Sequence, residues 1–504
     1  MALTQQDIIY FVILDRFYGV PNPDPKVRRS IAPTEPRRYH GGNLDGLREK
    51  IPYLAQLGVT AVWITPVYQQ IDLADADGYH GYWALDFNAV DPHFYVDNGE
   101  HPRGSKLYVR DLADALHAAG LKLVLDMVVN HTGYDHPGGR NKEPNPTPIR
   151  GHWFNRAGLS CAADETQGEL SSLPDLDLDC KDVSDYHIGT ILDWIRATGI
   201  DGIRMDTVKH VERVFWNDYK TQVRGLHPDV SLLGEVLEFD IDKISQFQRS
   251  WAFDSLFDFP LQDAMRRVFV ENDSLHVFVS PFDRGWGLLE RDGAYTNHNK
   301  LTTLLDNHDL PARFMSMLVD KLGDPGAAAR AMRLALSFQL TVRGIPQIYY
   351  GTELGMQGRA DPDNRRDFEW HKLDAQNEAK PEYRHEKAIY DHLRHLIRLR
   401  RASPALWTGD FTCLYVDQFV FVYLRYVDDD VAIVAIHNGW QDMPGSVAIS
   451  IADNPHLPTR IKDRLANAEL VCQLTGAEIH TEGGRFELHM PGKTALILKP
   501  ISPN

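Results

Sequence analysis

Only four cysteines occur in 504 residues, Cys161, Cys180, Cys413 and Cys472. None stands in a CxxC pair or at Cys/His metal-ligand spacing, which excludes a disulfide-stapled scaffold and a thiolate metal centre. A Cys161–Cys180 bridge stays open, although free buried thiols are expected of a chain without an export signal. Long apolar runs are missing as well, so no stretch has the length of a membrane span. The first residues, "MALTQQDIIYFVILDRF", lack a basic leader and a small-residue cleavage site. That predicts a cytoplasmic protein, or a secreted one if the sequence begins at a mature end. Positive charge is in deficit: 53 Lys and Arg face 70 Asp and Glu, a net charge of −17. Nucleic acid and anionic membrane surfaces are therefore excluded as expected partners. No Gly-rich loop follows the first apolar run, so a dinucleotide fold is disfavoured and no organic cofactor is expected.

What is present is alternation. Short apolar runs at 8–14, 59–64, 121–129, 202–206, 231–236, 252–258, 301–307 and 345–351 are each followed by a segment of helical period, such as "LDGLREKIPYLAQLG" or "DYHIGTILDWIRATG". Strand–helix alternation implies a parallel sheet with helices outside, and eight units predict an α/β fold, a (β/α)8 TIM barrel. Residues 132–180 interrupt it after the third strand and contain the Pro/Gly-rich "HPGGRNKEPNPTPIRGHW". An excursion of that length is usually functional. From residue 404 the pattern switches to alternating strands, as in "DDVAIVAIHNGW" and "KTALILKP", which predicts a C-terminal antiparallel β-sandwich. The expected division is a barrel (1–131 and 181–403), an insertion (132–180) and a C-terminal domain (404–504).

Acids sit where strands end. Asp126 and His131 close the third run, Asp206 the fourth and Glu235 the fifth, while Asp309 follows the seventh. In a barrel those exits share one face, where chemistry gathers. A buried carboxylate without a partner or task is costly, so a set of them implies a site. Carboxylates with His, Arg and Lys, and no thiol or phosphate loop, suit glycoside hydrolysis. A nucleophilic and a protonated carboxyl about 5–5.5 Å apart give retention through a covalent glycosyl intermediate. Arg204, two residues before Asp206, would keep that carboxylate ionised.

The sequence resembles the α-amylase family, glycoside hydrolase family 13, over nearly its whole length. "DMVVNH" (126–131), "GIRMDTVKH" (202–210), "LLGEV" (232–236) and "LLDNHD" (304–309) are similar, in order, to that family's four signature regions. "GVTAVWITP" (58–66), "SLPDLD" (172–177) and "GIPQIYYGTE" (344–353) agree as well. The resemblance implies Asp206 as nucleophile, Glu235 as general acid/base and Asp309 as the carboxylate that holds sugar hydroxyls. It implies Arg204, His131 and His308 around the sugar that forms the intermediate. Tyr82 would be its stacking platform, with His80 and Trp83 nearby. Lys209 and His210 would meet the leaving-group sugar, and Asp361 and Arg365 the sugars beyond on the other side. It further implies a structural calcium held by Asn130, Asp175 and the carbonyl of His210, with another carbonyl from 161–169; hard oxygen donors suit Ca²⁺.

The expected activity is retaining hydrolysis of α-1,4-glucosidic bonds in starch, malto-oligosaccharides or cyclodextrins, by a monomer or homodimer. Glucan transfer, a cyclomaltodextrinase- or neopullulanase-type activity, and a non-catalytic binding relative are the alternatives. "SLPDLD" and "DTVKH" resemble the α-amylase type rather than α-1,6-glucosidases. The barrel begins near residue 8, so the extra N-terminal domain common among cyclomaltodextrinases, and the dimer built on it, is not expected. The three carboxylates argue against a binding relative.

Overall fold

The computed structural model describes all residues except 140–144, 146, 252, 280–286, 374–379 and 502–504. Parts of the expected insertion and C-terminal segment, and the first residue of the expected sixth strand, thus lie outside the described residues. Eight parallel strands form the central sheet: β1 (Ile9–Val12), β2 (Ala61–Ile64), β3 (Lys122–Met127), β4 (Gly202–Met205), β5 (Ser231–Gly234), β6 (Ser255–Leu256), β7 (Thr302–Leu304) and β8 (Ile345–Tyr349). Their order is β6-β5-β4-β3-β2-β1-β8-β7. A parallel bridge between Phe257 and Thr302 joins the two ends and closes the barrel. Every strand is shorter than its apolar run, because the run includes residues that cross the rim after the ladder stops. The sixth shrinks most, to two residues.

Helices follow each strand: α1 (Leu44–Glu49) and α2 (Ile51–Leu57), α3 (Leu107–Ala118), α4 (Lys181–Thr198), α5 (Arg213–Leu226), α6 (Ile241–Arg249), α7 (Phe259–Phe269), α8 (Phe314–Leu322), α9 (Pro325–Thr341) and α10 (Arg384–Ala402). The single period expected over 44–58 is split at Lys50. Pro52 has no N–H for the helical ladder, so the chain restarts with that proline in the first turn of α2. Gly58 then ends α2 in the left-handed conformation, φ 99°.

The C-terminal strands are β9 (Asp410–Val416), β10 (Val420–Val427), β11 (Asp430–His437), β12 (Val447–Ser450), β13 (Glu469–Cys472), β14 (Glu478–His480), β15 (Arg485–Leu488) and β16 (Thr494–Pro500). Six of them form one antiparallel sheet, β9-β10-β11-β16-β13-β14, and β12 pairs with β15 as a ribbon. The period-two alternation decides which face meets what. Val422, Leu424, Ile433 and Leu498 bury with Ile449 and Leu488 of the ribbon in one apolar cluster. Phe421, Tyr423, Val434 and Ile497 join the barrel's own core on the other face. The expected sandwich is thus one sheet between a short ribbon and the barrel helices. Among the described residues, which include all four cysteines, none is paired; Cys472 is buried, whereas Cys161, Cys180 and Cys413 are half-exposed rather than buried. Among the described residues no helix is long and apolar enough to cross a membrane.

Candidate active site

The parallel ladder carries the acids into one space. Asp206 N–H donates to Met127 O at 3.0 Å and Glu235 N–H to Met205 O at 2.9 Å, so each carboxylate stands one step above its strand. The next residue, Thr207, has φ 49°. A β-branched residue disfavours that left-handed conformation, and here it turns the Thr207 N–H toward Glu235 Oε2 at 2.9 Å. The strained residue thus links the two exits.

Arg204, fully buried, is the hub. Its Nη1 donates to Asp206 Oδ1 at 2.6 Å and to Asp126 Oδ1 at 3.0 Å. Its Nη2 lies 3.9 Å from both Glu235 Oε2 and Asp309 Oδ2. Asp126 also accepts from Tyr82 Oη at 2.7 Å and Trp63 Nε1 at 3.1 Å. It therefore fixes the tyrosine ring and the guanidinium together, a positioning role that the sequence placed only as an acid at a strand exit. Burial, opposed by Arg204, pushes Asp126 up to about 7. Burial also pushes Glu235 up to about 7, with Asp206 and Asp309 adding to it against Arg204.

Asp309 is more open than the other two carboxylates, 36% exposed at the side chain against 9% for Asp206 and Glu235. It meets His308 Nε2 at 3.4 Å and Arg365 Nη2 at 3.5 Å. Arg365 in turn reaches Asp361 at 3.2 Å and donates to the His308 carbonyl. Burial lowers the pKa values of His80, His131 and His308, leaving neutral rings. Among the described residues, buried His131 Nε2, His308 Nδ1 and Arg204 Nη2 have no hydrogen-bond partner, a set of polar groups suited to ligand hydroxyls.

Tyr82 stacks on His308, with ring centroids 5.3 Å apart. Its stretch, "GYHGYW", lies between strands 68–70 and 84–90 of a small hairpin that sequence period did not reveal. Gly81 is required there: φ is 90°, and a Cβ would stand 2.0 Å from the Pro66 carbonyl. Asp206, Thr207, Glu235, Asp309, His80, Tyr82, Trp83, His131, His308, Asp361 and Arg365 line one cavity of about 640 Å³ with Lys209 and His210, while Arg204, Asp126 and Trp63 are buried outside its lining. Tyr134, Cys161, Leu170, Ser171 and Leu173 of the excursion, and Leu237 after Glu235, complete its wall. Sequence reasoning missed these six; only the proximity of Leu237 to Glu235 could have signalled one of them. Lys209 Nζ donates to Leu237 O at 3.0 Å, within the barrel rim, and His210 Nδ1 donates to the Glu165 carbonyl at 2.9 Å, which ties barrel to excursion.

Two of the expected metal ligands, Asn130 and Asp175, come from segments that pair at the exit of β3. Asp175 bridges to His131 in a short antiparallel pairing, and Leu176 N–H donates to Asn130 O, which brings Asp175 to the exit of β3. Asp175 Oδ2 accepts from Asn155, while its buried Oδ1 has no partner among the described residues. Burial pushes this carboxyl up to about 7. One orphaned carboxylate oxygen beside an amide and a carbonyl fits a hard cation. Among the described residues no three His, Cys, Asp or Glu side chains converge on a metal position, so such a site would depend on amide and carbonyl oxygens. The carbonyls of Glu165 and Glu169 within 161–169 already accept other hydrogen bonds.

Comparison with known proteins agrees with this geometry. The family model "Alpha amylase, catalytic domain" matches residues 13–409. A "Beta/alpha-amylase" of Paenibacillus polymyxa is 30% identical over 479 residues, 91% of this chain and 36% of that protein. The chain therefore spans about a third of that relative. A cyclomaltodextrinase of Geobacillus thermopakistaniensis is 30% identical over 86% of this chain and 69% of its own length. Among solved structures, an Anoxybacillus α-amylase superposes with a TM-score of 0.82 at 30% identity, covering 99% of each chain. A cyclomaltodextrin glucanotransferase with a three-domain ABC distribution gives 0.80 at 29%, covering 98% of this chain and 99% of that one.

Proposed function

The chain belongs to the α-amylase family, glycoside hydrolase family 13, and we propose that it hydrolyses α-1,4-glucosidic bonds of starch, malto-oligosaccharides or cyclodextrins with retention. The observation that carries this reading is one guanidinium, Arg204, within 4 Å of Asp206, Glu235 and Asp309 together. Asp206 attacks the anomeric carbon while Glu235 passes its proton to the departing glycosidic oxygen. The covalent glycosyl–Asp206 bond is then broken by water that Glu235 deprotonates, which returns the proton to Glu235. Asp309, His131 and His308 hold the hydroxyls of the flattening ring, and Tyr82 carries its apolar face. Lys209 and His210 meet the leaving-group sugar; Asp361 and Arg365 meet the sugars beyond on the opposite side. A calcium ion held by Asn130, Asp175 and the His210 carbonyl would join the excursion to the barrel and take no part in bond making.

A second reading is glucan transfer, in which a sugar hydroxyl replaces water at the glycosyl–enzyme; the likeness to a three-domain glucanotransferase favours it. Product analysis on soluble starch, β-cyclodextrin, pullulan and maltotriose separates the two. Proton NMR of the first product tests the shared mechanism: an α-anomer is expected from an α-linked substrate, and an initial β-anomer overturns the assignment of Asp206 and Glu235.

A further inference from the structure

In a chain of net charge −17, one cleft on the outside of the barrel is lined by cations and by no carboxylate. It has a volume of about 380 Å³ and lies where α9 and α10 meet the C-terminal sheet. Arg330, Arg333 and Ser337 come from α9, His392 from α10, and Thr475 and Lys493 from loops of the sheet. Arg330 and Arg333, three residues apart, share one helix face. Arg333 Nε is shielded from water and has no hydrogen-bond partner among the described residues. Among the described residues neither guanidinium has an ion pair or donates a hydrogen bond. Buried Arg343, by contrast, meets Asp258 and Asp292, and buried Arg400 and Arg425 serve backbone carbonyls.

The surroundings add no negative charge. His392 Nε2 donates to the Arg333 carbonyl at 3.0 Å, and burial with Arg333 alongside pushes this ring down to about 4, so it stays neutral. Lys493, 4% exposed, donates to Asn438 Oδ1 at 2.7 Å and lies 4.7 Å from the Trp440 ring centroid, all neutral partners. Thr475 Oγ1 accepts from the Ala477 N–H, which leaves its own O–H free to donate. Buried or half-buried charge without an opposite charge is costly, and a bound anion removes that cost.

We propose that this cleft binds a small anion bearing a phosphate group, gripped by the guanidiniums of Arg330 and Arg333. Two planar forks match phosphate oxygens, each giving paired charge-assisted hydrogen bonds. The volume exceeds what inorganic phosphate fills, so a hexose phosphate fits as well. Bound there, the anion touches α9 and the sheet at once and stabilises the native state by mass action. The site is separate from the proposed glycosidase centre and stands or falls without it.

The test is the thermal midpoint of the full chain during titration with inorganic phosphate or glucose 6-phosphate, at ionic strength held constant with chloride. A saturable rise is expected with at least one probe and not with chloride alone. Arg330→Gln, at an exposed position where folding is not at stake, and Arg333→Gln should each raise the apparent Kd about tenfold, the weight of one lost charge-assisted contact. Equal affinity for both probes assigns the site to free phosphate; tighter hexose phosphate assigns it to a monoester. No saturable rise with either probe, or a rise that both variants retain unchanged, overturns the proposal.

Discussion

In the proposed mechanism the departing sugar oxygen takes its proton from Glu235, and burial, with Asp206 and Asp309 adding to it, pushes that carboxyl up to about 7. As pH rises through about 7 the acid is lost, so kcat/KM should fall on that side. Asp309→Asn removes a negative neighbour and makes ionisation of Glu235 easier; the falling limb should therefore move to lower pH, besides the loss of rate. Profiles of kcat/KM against pH for both proteins check this, and an unmoved or raised limb would contradict the charge coupling. Glu235→Gln should be rescued by a substrate whose leaving group needs no proton. With a glucosyl fluoride, the formation of the glycosyl–enzyme should recover much of the general-acid contribution, about 10²–10⁴-fold. Asp309→Asn should stay slow on fluoride and polysaccharide alike, since both pass through the same distorted ring. Rescue of Asp309→Asn alone would exchange the two roles.

At the scale of elements, the strand exits were legible because a buried strand announces itself as an apolar run and the first acid after it has nowhere dry to go. Asp206 and Glu235 follow such runs directly, and the ladder bonds to Met127 and Met205 hold them there. Asp126 was visible only as an acid; its hold on Tyr82 and Trp63 depends on β2 and β3 lying side by side. The wall built by Tyr134 and Leu170–Leu173 was illegible, since an aperiodic excursion gives no register from which to place a side chain. There the backbone uses left-handed Ser171 and Ser172, φ 53° and 63°, which no local pattern signals. The excursion's attachment is also where calcium is expected to act. Added Ca²⁺ should raise the thermal midpoint and a chelator lower it, and Asp175→Asn should abolish most of the difference. A wild-type protein indifferent to both, and free of calcium by metal analysis, would remove the ion from the reading.

At the scale of the molecule, one polar joint between the C-terminal sheet and the barrel is the end of a helix. The last carbonyls of α9 have no helical partners. Arg400 of α10 donates to Leu340 O at 2.9 Å and Val342 O at 3.0 Å, and also to Gly344 O. Arg425, on β10, donates to Thr341 O at 3.3 Å and Gly409 O at 2.8 Å. Both cations complement the negative end of the helix. Two effects oppose each other. Burial and the neighbouring guanidinium disfavour the charge, pushing Arg400 down to about 9 and, mainly through burial, Arg425 down to about 10. Yet the carbonyls they serve would otherwise be dry, and hydrogen bonds from a charged group contribute about 1.5–3 kcal/mol each. The hydrogen bonds should win, because each arginine serves at least two carbonyls against one burial cost. Arg425→Met and Arg400→Met should each lower stability in denaturant titrations. The double variant should lose more than the sum of the two, since each single change is offset by relief of the same repulsion between the guanidiniums, which can be relieved only once. If Arg425→Met equals or exceeds the wild type in stability, the burial cost dominates. The sheet would then be held to the barrel by the apolar contacts of Phe421 and Tyr423 instead.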